Sequence, residues 1–171
     1  DTSVSRGLGD VYKRQVGTSS FRREFRIKEM RSDLSCKLIR GNVDTRIKKL
    51  KDKNYDAIVL SAAGIISLNL ENEITQTFAI DEFIPSAGQG IVALQCRKDD
   101  TEIVSILDKV NHRETYNCAI AERNVLKVLE GDCETAIGVH ASLNKDKISI
   151  VSELFSLDAV SYTHLTLPTT L

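Results

Sequence analysis

The apolar positions follow two periods in the first half of the chain. Val43, Ile47 and Leu50 recur at i, i+4 and i+7 and predict a helix running to about Lys53. Phe21 and Phe25 lie one turn apart and predict a helix over about Ser19–Arg31 with both rings on one face. Between these two segments, Cys36–Ile39 alternates polar and apolar and reads as a strand. Val16–Thr18 reads as the end of a strand. Tyr55–Leu60 is an unbroken, β-branched apolar run of the kind found in strands covered on both faces. Ser61-Ala62-Ala63-Gly64 then opens a short helix reaching about Asn69. The order β-α-β-α-β-α implies a parallel sheet with right-handed crossovers. In such sheets ligands sit beyond the carboxyl ends of the strands, where Thr18, Arg40 and Ser61 fall.

The pattern then changes. Glu71–Asp81 is acidic and less regular. In Phe83–Gly90, two glycines flank Gln89, which calls for tight backbone geometry and leaves the Gln89 amide as a donor; an ordinary turn would use the same residues. Ile91–Cys96 predicts a strand that returns toward a neighbouring domain. Asp99–Val110 and His112–Glu130 predict two helices. The second opens on Asn111-His112-Arg113-Glu114, a start resembling a capping box with Asn in the place of Ser or Thr, and Ala119, Ile120, Leu126 and Leu129 suit burial. His112 reads as a structural residue at that helix start rather than a base. Gly131 is placed to end the helix. Cys133 falls in the loop before a strand at Ile137–Leu143, which pairs with Lys147–Phe155 through the turn Asn144-Lys145-Asp146.

Charge sharpens the contrast between the halves. Residues 16–56 carry 12 Lys and Arg against 6 Asp and Glu, whereas residues 57–158 carry 8 against 16. A basic segment joined to an acidic one, with a net charge of only −1, points to a local anion site. Sparse aromatic residues and the lack of a basic recognition helix argue against nucleic acid. No apolar run approaches the roughly 18 residues that span a bilayer, and no signal peptide is visible. The four cysteines, Cys36, Cys96, Cys118 and Cys133, form no C-x-x-C pair. The three histidines, at positions 112, 140 and 164, are scattered, which argues against a metal site. Unpaired thiols suit a reducing compartment.

Two junctions carry the candidate chemistry. Gly17-Thr18-Ser19-Ser20 runs into Arg22 and Arg23, and Arg40-Gly41-Asn42 runs into Arg46. A helix start leaves backbone N–H groups unpaired and carries partial positive charge, so it attracts anions. Arginines beside it add forked donors that match carboxylate or phosphate. Taken singly, each junction reads equally well as an N-cap with solvated arginines. Two of them, one strand–helix unit apart, favour a double anion cradle. Cys133 alone would be an ordinary small buried thiol, although a loop position is the better one for reaction.

The stretches VGTSSFRR, IRGNVDTRIKKL, YDAIVLSAAG, PSAGQGIVALQCR, HRETYNCAIAER and LEGDCETAIGVHA, taken together and in this order, resemble the porphobilinogen deaminase (hydroxymethylbilane synthase) family over about residues 16–155. The resemblance implies an α/β fold. It places a type II periplasmic-binding-protein-like domain with a parallel-rich sheet at 16–96, including a return segment to a first domain. At 97–158 it places a helical link and the start of a small α+β third domain. It implies a transferase that joins four porphobilinogen units head to tail into hydroxymethylbilane, with loss of ammonia, in tetrapyrrole biosynthesis. It implies a dipyrromethane cofactor attached by a thioether to Cys133. Thr18, Ser20, Arg22, Arg23, Arg46 and Gln89 would bind that cofactor, and Arg40, Gly41, Asn42 and Arg46 the substrate; no metal is involved. It also implies a cytoplasmic monomer whose partner is the small-molecule substrate, with neither nucleic acid nor membrane.

Residues 1–15 and 159–171 lack this character. They resemble translated sequencing-adapter read-through and are expected to be non-native tails. The family's first domain, with the aspartate that serves as general acid and base, is expected upstream of Val16, so the catalytic residue is unassigned here and the fragment alone is expected to be inactive. The rival expectation is a non-catalytic anion-binding module of the same fold, which would have no need of Cys133.

Overall fold

The structure is a computed structural model that describes residues 14–129, 135–145 and 147–155, and the backbone of 165–170. Its first half is a three-stranded parallel sheet in the order β2-β1-β3, with β1 Gln15–Thr18, β2 Ser35–Leu38 and β3 Ala57–Ile58. Val16 pairs with Cys36 on one side and with Ala57 on the other. Helix α1 (Phe21–Met30) crosses from β1 to β2 and α2 (Val43–Lys51) from β2 to β3, so the predicted β-α-β-α-β order holds. A short helix α3 (Ala62–Ile66) follows.

Each crossover starts on a side-chain cap. Ser20 Oγ accepts from the Arg23 N–H at 3.5 Å, and Asn42 Oδ1 accepts from the Thr45 N–H at 2.9 Å. Ile47 is buried and Val43 and Leu50 are half-buried, as the i, i+4, i+7 spacing requires. The α1 face differs from expectation. Phe21 is 49% exposed, and the buried positions are Arg22 and Ile27, while Phe25 stacks on Phe155 at 5.9 Å. The helix therefore turns Phe25 toward the second half of the molecule and Phe21 toward solvent.

Tyr55–Leu60 is also shorter than its apolar run suggests. Only Ala57–Ile58 pairs, and Tyr55, Ile58, Val59 and Leu60 are half-buried, so the run is not covered on both faces among the described residues. Ile91–Cys96 forms no strand. Val92 is 86% exposed and Leu94 61%, because no described strand lies beside the segment to take its hydrogen bonds.

The second half is antiparallel: β4 (Ile137–Asn144), β5 (Lys147–Leu154) and β6 (Leu165–Thr170) in that order. Strands β4 and β5 pair from Ile137↔Leu154 to Asn144↔Lys147, as the predicted hairpin requires. Their inner face (Ile137, Val139, Ala141, Ile148, Ile150) forms the main hydrophobic cluster. Helix α4 (Thr101–Val110) precedes α5 (Arg113–Val128), which covers the cluster with Cys118, Ala121, Val125 and Leu126. Ile120 and Leu129 are exposed instead, because the buried stripe runs through 118, 121, 122 and 125. The α5 cap is His112, not Asn111: its Nδ1 accepts from the Thr115 N–H at 3.3 Å, which gives His112 the structural role expected of it.

Strand β6 falls in the segment set aside as a tail. It pairs antiparallel with β5 at an edge of the described sheet, a position where proline is tolerated because no described strand lies beyond it. Cys133 and the rest of 130–134, Gly131 included, lie outside the described residues, as does Asp146 of the hairpin turn.

Candidate functional site

The site is built at the carboxyl end of the parallel sheet. β1 ends at Thr18, β2 at Leu38 just before Arg40, and β3 at Ile58 just before Val59 and Ser61. Thr18 is buried, and its Oγ1 accepts from the Ser20 N–H at 3.2 Å, which fixes the turn from strand into α1. Ser20 then caps the helix, and Arg23 leaves its first turn toward the neighbouring strand ends.

Arg23 is the centre of the arrangement. Its guanidinium donates to the Val59 carbonyl at 2.9 Å and to Gln89 Oε1 at 3.3 Å. Burial lowers its pKa from the ordinary arginine value, and the nearby Arg46 lowers it further. Arg46 arrives from α2 and folds back so that Nε donates to the Gly41 carbonyl at 2.7 Å. Gly41 has φ +121°, and a Cβ there would stand 2.7 Å from Thr45 Cγ2, so the turn that aims this carbonyl admits only glycine. Gln89 sits between Gly88 (φ +74°) and Gly90 (φ +88°), the tight geometry that the two glycines foretell. Its Oε1 accepts from Ser86 Oγ at 3.2 Å as well as from Arg23, which leaves its NH2 group outward as a donor.

No described carboxylate lies within ion-pair distance of Arg23, Arg40 or Arg46, whereas Arg26, Arg31 and Arg97 are each paired to an acid. Arg46 stands close enough to Arg23 to lower its pKa, and two such cations without a described counter-charge form an arrangement that an anion completes. Arg40 is exposed, and its carbonyl accepts from Lys49 Nζ at 2.8 Å. The Asn42 Oδ1 is taken up by α2, accepting from both the Thr45 N–H and the Thr45 hydroxyl, the latter at 2.7 Å.

Arg22 is placed differently from its neighbour. It is 4% exposed, and its guanidinium lies 5.7 Å from the centroid of the Phe83 ring and donates to the Ile84 carbonyl. Burial, then repulsion from Arg23, brings its pKa down to about 10, with Glu153 pulling the other way. Arg22 therefore joins α1 to the 83–84 segment and to β5 instead of reaching the strand ends.

Two buried acids carry no sequence motif. Glu153 is 3% exposed, and burial pushes its pKa up to about 7 against the attraction of Arg26 and Arg22. Glu122 is 4% exposed on the inner face of α5. A carboxylate on an apolar helical stripe is the signal that would have found it. Among the described residues no cluster of three or more His, Cys, Asp or Glu could hold a metal, and Cys36, Cys96 and Cys118 are unpaired. No described helix is long and apolar enough to cross a membrane.

A family model described as porphobilinogen deaminase, dipyromethane cofactor binding domain, matches residues 6–105, and one for the porphobilinogen deaminase C-terminal domain matches residues 116–166. A porphobilinogen deaminase of Coxiella burnetii is 46% identical over 143 residues, covering 84% of this chain and 47% of that protein. One of Trichlorobacter lovleyi is 40% identical over 144 residues, covering 84% of this chain and 46% of that protein. The chain thus spans about half the length of the curated relatives it matches.

Proposed function

The chain belongs to the porphobilinogen deaminase family, and from that premise we propose that it is the anion-binding portion of a hydroxymethylbilane synthase. In this reading the whole enzyme is a cytoplasmic monomer that joins four porphobilinogen units head to tail with loss of ammonia. The observation that carries the proposal is the couple Arg23–Arg46 at the carboxyl ends of the parallel strands, with no acid paired to either among the described residues. Every pyrrole unit of substrate and product brings two carboxylates, which demand positive charge that no described acid has neutralised.

The same residues fit a dipyrromethane. Arg23, Arg46, Thr18, Ser20 and the outward amide of Gln89 would hold its acid side chains, and Cys133 would supply the thioether anchor. The group itself, when bound, supplies the primer on which the chain grows. The protein's part is to hold charge in place: Ser20 and Thr18 shape the turn, Gln89 and Val59 fix the Arg23 plane, and the Gly41 carbonyl fixes Arg46. Arg40, Gly41 and Asn42 lie at the second junction, where an incoming substrate would meet the same field. Of the motif residues, Arg22 would serve by anchoring α1. The finer assignment of residues 16–96 to a type II periplasmic-binding-like domain, and of 97–158 to a link with a partial third domain, belongs to the same reading, supported by the parallel sheet and the separate antiparallel sheet.

Calorimetric titration of the 171-residue chain with porphobilinogen tests the reading. Arg23→Gln and Arg46→Gln are each expected to weaken binding roughly 10- to 100-fold, the worth of one charge-assisted contact. Binding that ignores both substitutions, or no binding by the folded parent chain, would remove the cradle from the proposal.

A further inference from the structure

Among the described residues, strand β4 is an edge of the antiparallel sheet, so alternate N–H groups along it face away from β5 with no described strand beside them. Two of these, on Val139 and Ala141, are nonetheless bonded. The Val139 N–H donates to the Pro85 carbonyl at 2.8 Å, and the Ala141 N–H donates to Glu122 Oε1 at 2.8 Å. The other oxygen of the same carboxylate, Oε2, accepts from the Gly88 N–H at 2.6 Å. Segment 85–88 is thereby pinned to the sheet at both ends, directly at Pro85 and through Glu122 at Gly88.

The residue after Gly88 is Gln89. Its own N–H donates to the Ser86 carbonyl at 3.0 Å, and the Ile91 N–H donates to the Gly88 carbonyl at 3.1 Å, so the turn closes on itself around the pinned glycine. Its side chain then meets Arg23. A continuous chain of contacts runs from α5 through Glu122, Gly88 and Gln89 to the guanidinium at the strand ends. The Gly88 φ of +74° lets the N–H face Glu122 while Gln89 faces Arg23.

We infer that Glu122 is a positioning residue of the anion cradle: its two carboxylate oxygens tie the edge of β4 to Gly88 and so hold Gln89 against Arg23. The inference deepens the proposed function, because its functional arm assumes the cradle binds porphobilinogen. Support of the sheet edge alone would need one oxygen, on Ala141. The second oxygen is spent on a segment that contributes nothing to the hydrophobic cluster beyond Ala87. His140, whose Nδ1 lies 3.6 Å from Oε1, and Cys118 are the other polar side chains beside it.

The test has two arms on the full chain. In the first, amide hydrogen exchange is followed without ligand. Glu122→Gln replaces one acceptor by a donor, and Glu122→Asp keeps two acceptors on a stem one methylene shorter, so the second serves if the first fails to fold. Exchange at Gly88, Gln89 and Ile91 should quicken at least tenfold, while the β5 amides paired within the sheet keep the parent rates. In the second arm, porphobilinogen affinity is measured in a cycle with Gln89→Leu. Glu122→Gln should weaken binding about tenfold in the parent and not at all in the Gln89→Leu background. Parent-like exchange at Gly88, Gln89 and Ile91 in the folded variants would overturn the inference, as would an equal loss of affinity in both backgrounds. A parent chain that binds no porphobilinogen would defeat the cradle reading, and the exchange arm would still decide the part played by Glu122.

Discussion

Strands β1 and β2 are four residues long and β3 two, whereas β4 and β5 each run for eight. The parallel half spends its positions on chemistry. Its strand ends carry Thr18, Arg40 and Ser61, its helices begin on caps flanked by arginine, and its buried apolar side chains (Val16, Ile27, Ile39, Ile47, Ile65) are scattered one to a segment. The antiparallel half concentrates its apolar residues in one cluster, roofed by α5. The site-bearing half is thus the less self-sufficient, and it leans on the other half through the Phe25–Phe155 stack, the buried Arg22 and segment 85–88. The geometry of an anion site is set here partly by a sheet that contributes none of its proposed ligands.

The largest expected effect breaks that support. Ile150→Ala removes a side chain 7% exposed in the middle of the cluster, and should cost about 2–5 kcal/mol. Ile39→Ala, at a fully buried site beside much shorter strands, should fall toward the lower end of that range, since its surroundings can close in more readily. Urea midpoints at unchanged slope measure both. A larger loss at Ile39 would reverse the comparison and make the parallel sheet the stronger half.

The boundary between the halves supplies the next effect. Glu153 faces Arg22, Arg26 and Glu29 of α1, and it lies across the sheet from Gly138, where an added Cβ would come within 2.8 Å of the Glu153 side chain. Its Oε1 and the Arg22 Nε are both buried without a hydrogen-bond partner. Burial raises the Glu153 pKa from 4.5 to about 7. The folded state therefore holds the proton more tightly than the unfolded chain does. Its stabilising contribution is complete below about pH 4.5 and is lost as pH rises through about 7, at no more than about 1.4 kcal/mol per unit. Glu153→Gln should flatten the fall in stability between pH 5 and 7 when melting is followed across that range. An unchanged slope would assign it to another group.

The pattern of elements was legible because periodicity and caps are local. Val43, Ile47 and Leu50 fixed α2, and the hairpin across residues 144–147 followed from two apolar runs and a polar turn. The convergence of Arg23 and Arg46 was legible because parallel strands bring successive turns to one end. What stayed hidden depended on contacts distant in sequence. Arg22 and Arg23 are adjacent and chemically identical, and only the presence of Phe83, Ile84 and Glu153 on one side of α1 separates an anchor from a ligand-facing group. Ile91–Cys96 is a largely apolar run that reads as a strand, yet a strand needs a neighbour, which no described residue supplies. The stripe position of Glu122 marks it as unusual, but its partners, Ala141 of β4 and Gly88, are distant in sequence.

Asn42 gives the smallest effect and separates capping from ligand binding at the second junction. Its Oδ1 accepts from the Thr45 N–H and the Thr45 hydroxyl at once, so α2 uses the acceptor fully. Asn42→Ala should cost about 1 kcal/mol of stability, and Asn42→Asp should recover most of it, since aspartate caps comparably. Porphobilinogen affinity separates the two roles. If Asn42 acts through the helix, Asn42→Ala leaves affinity within about twofold of the parent, because Arg46 is held by the Gly41 carbonyl and not by the cap. If its free amide group touches the ligand, Asn42→Ala and Asn42→Asp both weaken binding, and the aspartate does so more because it sets a negative charge beside the incoming carboxylates. A weaker aspartate variant with restored stability would move Asn42 from the scaffold into the cradle.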